Sequence, residues 1–135
     1  MKRALAIAGA SAMLGLGAFA MPGTTTPPPK TAHVMVHCPN ASKAAFVTPE
    51  SLHVAMGDSV EWRTTGQVTT TSLDIALKDT AQTWPFSGPL PRGESSATAP
   101  DAQHKGTYAY KVTMECRRGS GGTQTVVIDP DIIIE

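Results

Sequence analysis

The chain has 135 residues, with eleven basic and eleven acidic side chains and a formal net charge of zero. Its basic residues are scattered apart from the Arg117-Arg118 pair, so no electrostatic footprint for nucleic acid is present. Once the leader and linker described next are set aside, roughly 104 residues remain, enough for one domain with a modest core.

The first twenty residues, MKRALAIAGASAMLGLGAFA, carry Lys2 and Arg3, then an apolar run of small residues, then Ala18-Phe19-Ala20. A charged start, an apolar stretch and an A-x-A site read as a signal peptide over 1–20, cleaved after Ala20. The apolar run is short for a membrane anchor, so no span is expected after cleavage. The mature chain is expected to be exported, to the periplasm or the extracellular space. Without Lys2 and Arg3, nine basic residues face eleven acidic ones, a net charge of about −2. Residues 21–31 form a Pro/Thr-rich linker. Pro27-Pro28-Pro29 imposes extended polyproline geometry and offers no amide donors.

The domain is expected over 32–135. No segment keeps a 3.6-residue apolar period; short runs rich in Val, Thr and aromatics alternate with Gly, Pro, Asp and Ser, which predicts an all-β fold. Val34-Met35-Val36 marks a first strand. AAFVTPESLHVAMGDSVEW predicts two more, broken at Pro49 and turned at Met56-Gly57-Asp58, with Leu52, Val54, Val60 and Trp62 as the apolar alternation. TTTSLDIAL is a fourth, with Leu73, Ile75 and Leu77 on one side. In GTYAYKVTMEC, Tyr108, Tyr110, Val112, Met114 and Cys116 share one face while Thr107, Lys111, Thr113 and Glu115 share the other. RRGSGG then turns the chain and TQTVVID returns. Seven to eight strands in a β-sandwich fit this spacing.

Three segments resemble the cupredoxins, the plastocyanin-like sandwiches: AFVTPESLHVAMGDSVEW, FSGPLPRGESSATA (from Phe86) and GTYAY, in that order. The resemblance spans nearly all of 32–129 and implies a Greek-key cupredoxin-like sandwich; an immunoglobulin-like sandwich is the alternative. It also implies where a type 1 copper site would lie, built from two His, one Cys and a weak axial Met. The first His would fall in TTGQVTTTSLDIA, which has none. The Cys position holds Val112, the second His position Glu115, and the Met position lies near Ser120. The resemblance therefore implies a degenerate member without type 1 copper, and no cofactor is expected.

In such a sandwich the ends of the first strand and of the Tyr-x-Tyr strand share a pole. Export places the two cysteines in an oxidising compartment, so a Cys38–Cys116 disulfide is expected. The alternative is a copper-binding or electron-transfer protein using His33, Met35, His37, Cys38 and Cys116. Against it, residues on one strand face lie about 7 Å apart per step, too far to chelate one ion on a flat strand. His53 and His104 are isolated and read as exposed polar residues.

No G-x-S-x-G elbow, H-E-x-x-H, zinc-type Cys pair or phosphate-binding glycine loop is present, so the chain is not read as an enzyme. No Cys-x-x-Cys context supports a redox role for the cysteines. Asp129 and Asp131 flank Pro130 as a turn. Trp84-Pro85-Phe86 is read as a loop anchor, with a small surface pocket as the alternative. Arg117-Arg118 is a solvated pair, or an anion site at the hairpin tip. The chain is expected to be a non-catalytic binding or structural module for a protein or small-molecule partner. Ile132, Ile133 and Ile134 either pack back on the sandwich or add a strand to a partner or to a second copy.

Overall fold

A computed structural model of the protein describes residues 21–65 and 70–135. The leader expected over 1–20 lies outside the described residues. Ten strand segments follow one another: β1 Thr31–His37, β2 Phe46–Thr48, β3 Ser51–Val54, β4 Ser59–Thr64, β5 Thr70–Leu77, β6 Arg92–Gly93, β7 Ser96–Ala99, β8 Gly106–Arg117, β9 Thr123–Ile128 and β10 Asp131–Ile134. One sheet runs β2-β1-β4-β7. The other runs β3-β10-β8-β5-β6, with β9 also on β8. The fold is an all-β sandwich, as the alternation predicts.

Two prolines explain why there are ten segments rather than eight. Pro49 separates β2, which pairs with β1 in one sheet, from β3, which pairs with β10 in the other. A proline cannot donate to a ladder, so the chain changes sheets there. Pro130 separates β9 from β10, yet the register against β8 never shifts. It runs from Arg117↔Thr123 to Val112↔Ile128 and resumes at Ala109↔Asp131, ending at Gly106↔Ile134. Tyr110 N donates to Pro130 O across the break at 3.0 Å. β9 and β10 are thus one return strand with a proline in it. With β2 and β3 counted as one strand that changes sheets at Pro49, and β9 and β10 as one return strand, the sandwich has eight strands, within the range the sequence predicts.

The interior is the set of inward positions of both sheets. Val34, Val36, Val60, Trp62, Ala97 and Ala99 come from the first; Leu73, Ile75, Tyr110, Val112, Met114, Ile132 and Ile134 come from the second. All are buried. Trp62 and Tyr110 bridge the sheets edge to face, with centroids 5.7 Å apart, and Trp62 Nε1 donates to Tyr110 Oη at 3.1 Å. The indole and the phenol therefore satisfy each other where no water reaches.

Local signals place the turns. Met56-Gly57-Asp58 closes as predicted: Asp58 N donates to Ala55 O, and Gly57 takes φ +85°, which a side chain would resist. Asp58 Oδ1 also accepts from Lys30 N at 2.8 Å, fixing the entry to β1 at the end of the proline-rich segment. Before β8, Tyr108 Oη reaches back to the carbonyls of His104 and Lys105, both at 3.2 Å, a tyrosine corner. Its ring lies over Gly106, where an added Cβ would meet the phenol at 3.2 Å and φ is +145°. The Gly of GTYAY is there to admit the Tyr.

Candidate functional site

β1 and β8 lie in different sheets, and their last residues meet at one pole of the sandwich. Val34, Val36 and Cys38 share the inward face of one chain segment, and Met114 and Cys116 the inward face of the other. Cys38 and Cys116 are bonded there, with Cα atoms 5.9 Å apart. Cys38 Sγ lies 3.9 Å from Met114 Sδ. A disulfide sulfur carries no proton, so this is a sulfur–sulfur packing contact under the staple. Beside it, His37 stacks flat on Phe46 at 4.1 Å, and its Nδ1 is 2.9 Å from Thr65 Oγ1. Lys43 Nζ covers the Phe46 ring at 3.6 Å. The stretch 66–69, between β4 and β5, lies outside the described residues.

The residues at the positions where the resemblance would place copper ligands do not fit a copper ion. Val112 is buried in mid-strand, a hydrocarbon between Ile75 and Ile128 in the register. Glu115 sits on the opposite, exposed face of β8, and Ser120 is exposed at the hairpin tip. β8 keeps its alternation to Arg117, so these three positions point apart, and none carries a soft donor.

The alternative ligand set is not gathered either. His33 Nδ1 is 3.3 Å from Glu61 Oε2, its partner in the β1–β4 register, and Glu61 is bonded to Arg63 at 2.7 Å. The hydrogen bond from the Arg63 guanidinium holds the Glu61 carboxyl below the usual carboxylate range. Met35 lies between the histidines, His37 is held by Phe46 and Thr65, and both cysteines are committed to each other. Among the described residues, no three His, Cys, Asp or Glu side chains are arranged to hold a metal ion.

The other sequence candidates are dispersed. His53 pairs with Glu135 at 2.9 Å, a contact between β3 and the chain end that its sequence surroundings do not announce. His104 is exposed, and its carbonyl serves the tyrosine corner. Pro85 and Phe86 are buried, the anchor the sequence predicts, while Trp84 lines a recess of about 240 Å³ with Leu77, Gln82 and Leu90. Trp84 Nε1 is buried without a hydrogen-bond partner among the described residues. Asp129 pairs with Lys78 at 3.3 Å rather than with Asp131. Arg118 Nε donates to Gln124 Oε1 at 3.2 Å, and Arg117 is exposed. Ile132 and Ile134 are buried between β8 and β3, so both edges of β10 are taken and a second copy adding there must displace a strand.

No protein-family model and no curated protein matches the chain. Among solved structures, it is similar to a mutant of amicyanin in its reduced Cu(I) form at pH 4. The identity is 15%, the match covers 83% of this chain and 87% of that one, and the TM-score is 0.37. A likeness of that size assigns this chain no ligand and no family.

Proposed function

We propose that this protein is an exported, metal-free sandwich of cupredoxin type that acts as a non-catalytic binding or structural module. The observation that carries this reading is the pole: a Cys38–Cys116 disulfide stands at the ends of the two strands that a blue-copper centre would use, while Val112, Glu115 and Ser120 occupy the ligand positions. Valine offers no lone pair, and a disulfide sulfur is a poor ligand compared with a thiolate. The order of the AFVTPESLHVAMGDSVEW, FSGPLPRGESSATA and GTYAY segments supports the cupredoxin type. The arginine-bearing start and the A-x-A site support export, as does the disulfide, which persists in oxidising compartments.

Thiol titration of the purified protein, denatured and unreduced, tests the reading when copper is assayed on the same sample after copper addition and desalting. The expected result is no titratable thiol and no retained copper. Two thiols with one copper per chain would overturn it and return His33, Met35 and His37 to consideration as ligands.

A further inference from the structure

β9 pairs with β8 on one side only. Asp131 N donates to Glu50 O and Glu135 N donates to Val54 O, so the odd-numbered residues of the return strand turn their backbone groups away from β8. Arg118 N to Gly122 O and Tyr110 N to Pro130 O show the even-numbered ones turned towards it. In β10 the outward groups meet β3. In β9 the outward groups of Thr123, Thr125 and Val127 meet no backbone partner among the described residues. The segment TQTVVI carries no charge and no proline, and Val127 is 55% exposed. Natural edges are usually guarded by charge, proline or a bulge; here the first guard is Asp129-Pro130.

We infer that the β9 edge is an interface for a second copy of this chain, joined antiparallel about a two-fold axis at Thr125. In that register Thr125 faces Thr125 of the second copy, and Thr123 faces its Val127. Each outward N–H then meets an outward carbonyl, and the Thr–Thr pair lies on the exposed face. The lengths match. The free edge stops at Asp129, because β3 begins opposite Asp131. The incoming strand has by then reached its own hairpin tip, Gly119 to Gly122, where no bulky side chain collides with β3. Charge matches too. The tip brings Arg117 and Arg118 to the Glu50 and Asp131 of the other copy, and none of these four has an ion pair among the described residues. Two five-strand faces become one continuous sheet.

Sedimentation velocity of the purified protein over a wide concentration range tests this. The expected result is a reversible dimer whose dissociation constant rises at least tenfold in Thr125→Pro. That change deletes an outward N–H and no bond to β8, so the melting temperature is expected to hold. Should it fall, Val127→Lys gives the same reading without touching the backbone. Arg117→Glu with Arg118→Glu is expected to weaken the dimer, and adding Glu50→Lys with Asp131→Lys to restore it. A monomer at every concentration overturns the inference, as does a dimer that neither Thr125→Pro nor Val127→Lys weakens.

Discussion

Tyr110 shows how one side chain ties sequence to stability. It is the second Tyr of GTYAY, fully buried, and its hydroxyl receives the Trp62 indole proton from the opposite sheet. Burial pushes its pKa up to about 12, with the Asp131 carboxylate adding to the rise and the Trp62 hydrogen bond opposing it. The folded protein therefore holds this proton more tightly than the unfolded chain, where the phenol titrates near 10. Stability is fully present below pH 10 and falls as pH rises from 10 to 12, by about 2 to 3 kcal/mol for this group. Tyr110→Phe is expected to lose about 1 to 3 kcal/mol at neutral pH, because it strands a buried indole N–H. It is also expected to flatten the alkaline decline. Denaturant titrations of both proteins at pH 7 and pH 11 check this, and equal declines at pH 11 would rule out Tyr110 as the cause.

At the scale of elements, β10 decides whether the second sheet closes. It lies between β8 and β3, with Ile132 and Ile134 in the core and Ile133 on the half-buried outer face. Ending the chain after Asp129 removes both isoleucines and leaves the outward edge of β8 bare, so loss of the folded state is expected, seen as loss of the near-UV signal from Trp62. A folded monomer would contradict this placement. The sequence shows most strands plainly: alternation marks β1, β4, β5 and β8, and the Gly-Asp turn and RRGSGG mark the reversals. It does not show β7, because Ala97 and Ala99 have little strand propensity, and the register that sets Ala97 opposite Trp62 is not visible in the sequence. It breaks the return strand at Pro130, since local chemistry cannot say that the register resumes beyond a proline. The disulfide was legible once the strand ends were known to share a pole. The bare edge of β9 was not, because a sequence gives a strand's two faces but not which of its edges is covered.

For the molecule as a whole, the Cys38–Cys116 bond and the Trp62–Tyr110 pair cross-link the sheets, among the described residues, through something more specific than apolar contact. The bond closes a sequence separation of 78, over which the chain passes between the sheets five times. In the chain-entropy view, that constraint on the unfolded chain contributes about 4 kcal/mol. For a domain of this size, whose total stability is expected at about 5 to 15 kcal/mol, that is a large share. Cys38→Ala with Cys116→Ala is therefore expected to lower the unfolding free energy by about 3 to 4 kcal/mol, seen as a lower urea midpoint, while leaving the native near-UV spectrum in place. The m-value is expected to rise, because the freed unfolded chain exposes more surface. Reductant should bring the unmodified protein to the same midpoint as the double variant and leave the variant itself unmoved. An unchanged midpoint would mean that the apolar interface and the Trp62–Tyr110 pair hold the sheets together without the staple. A collapse of the native spectrum would mean that the pole is organised by the bond itself, in the folded state, rather than through the unfolded chain.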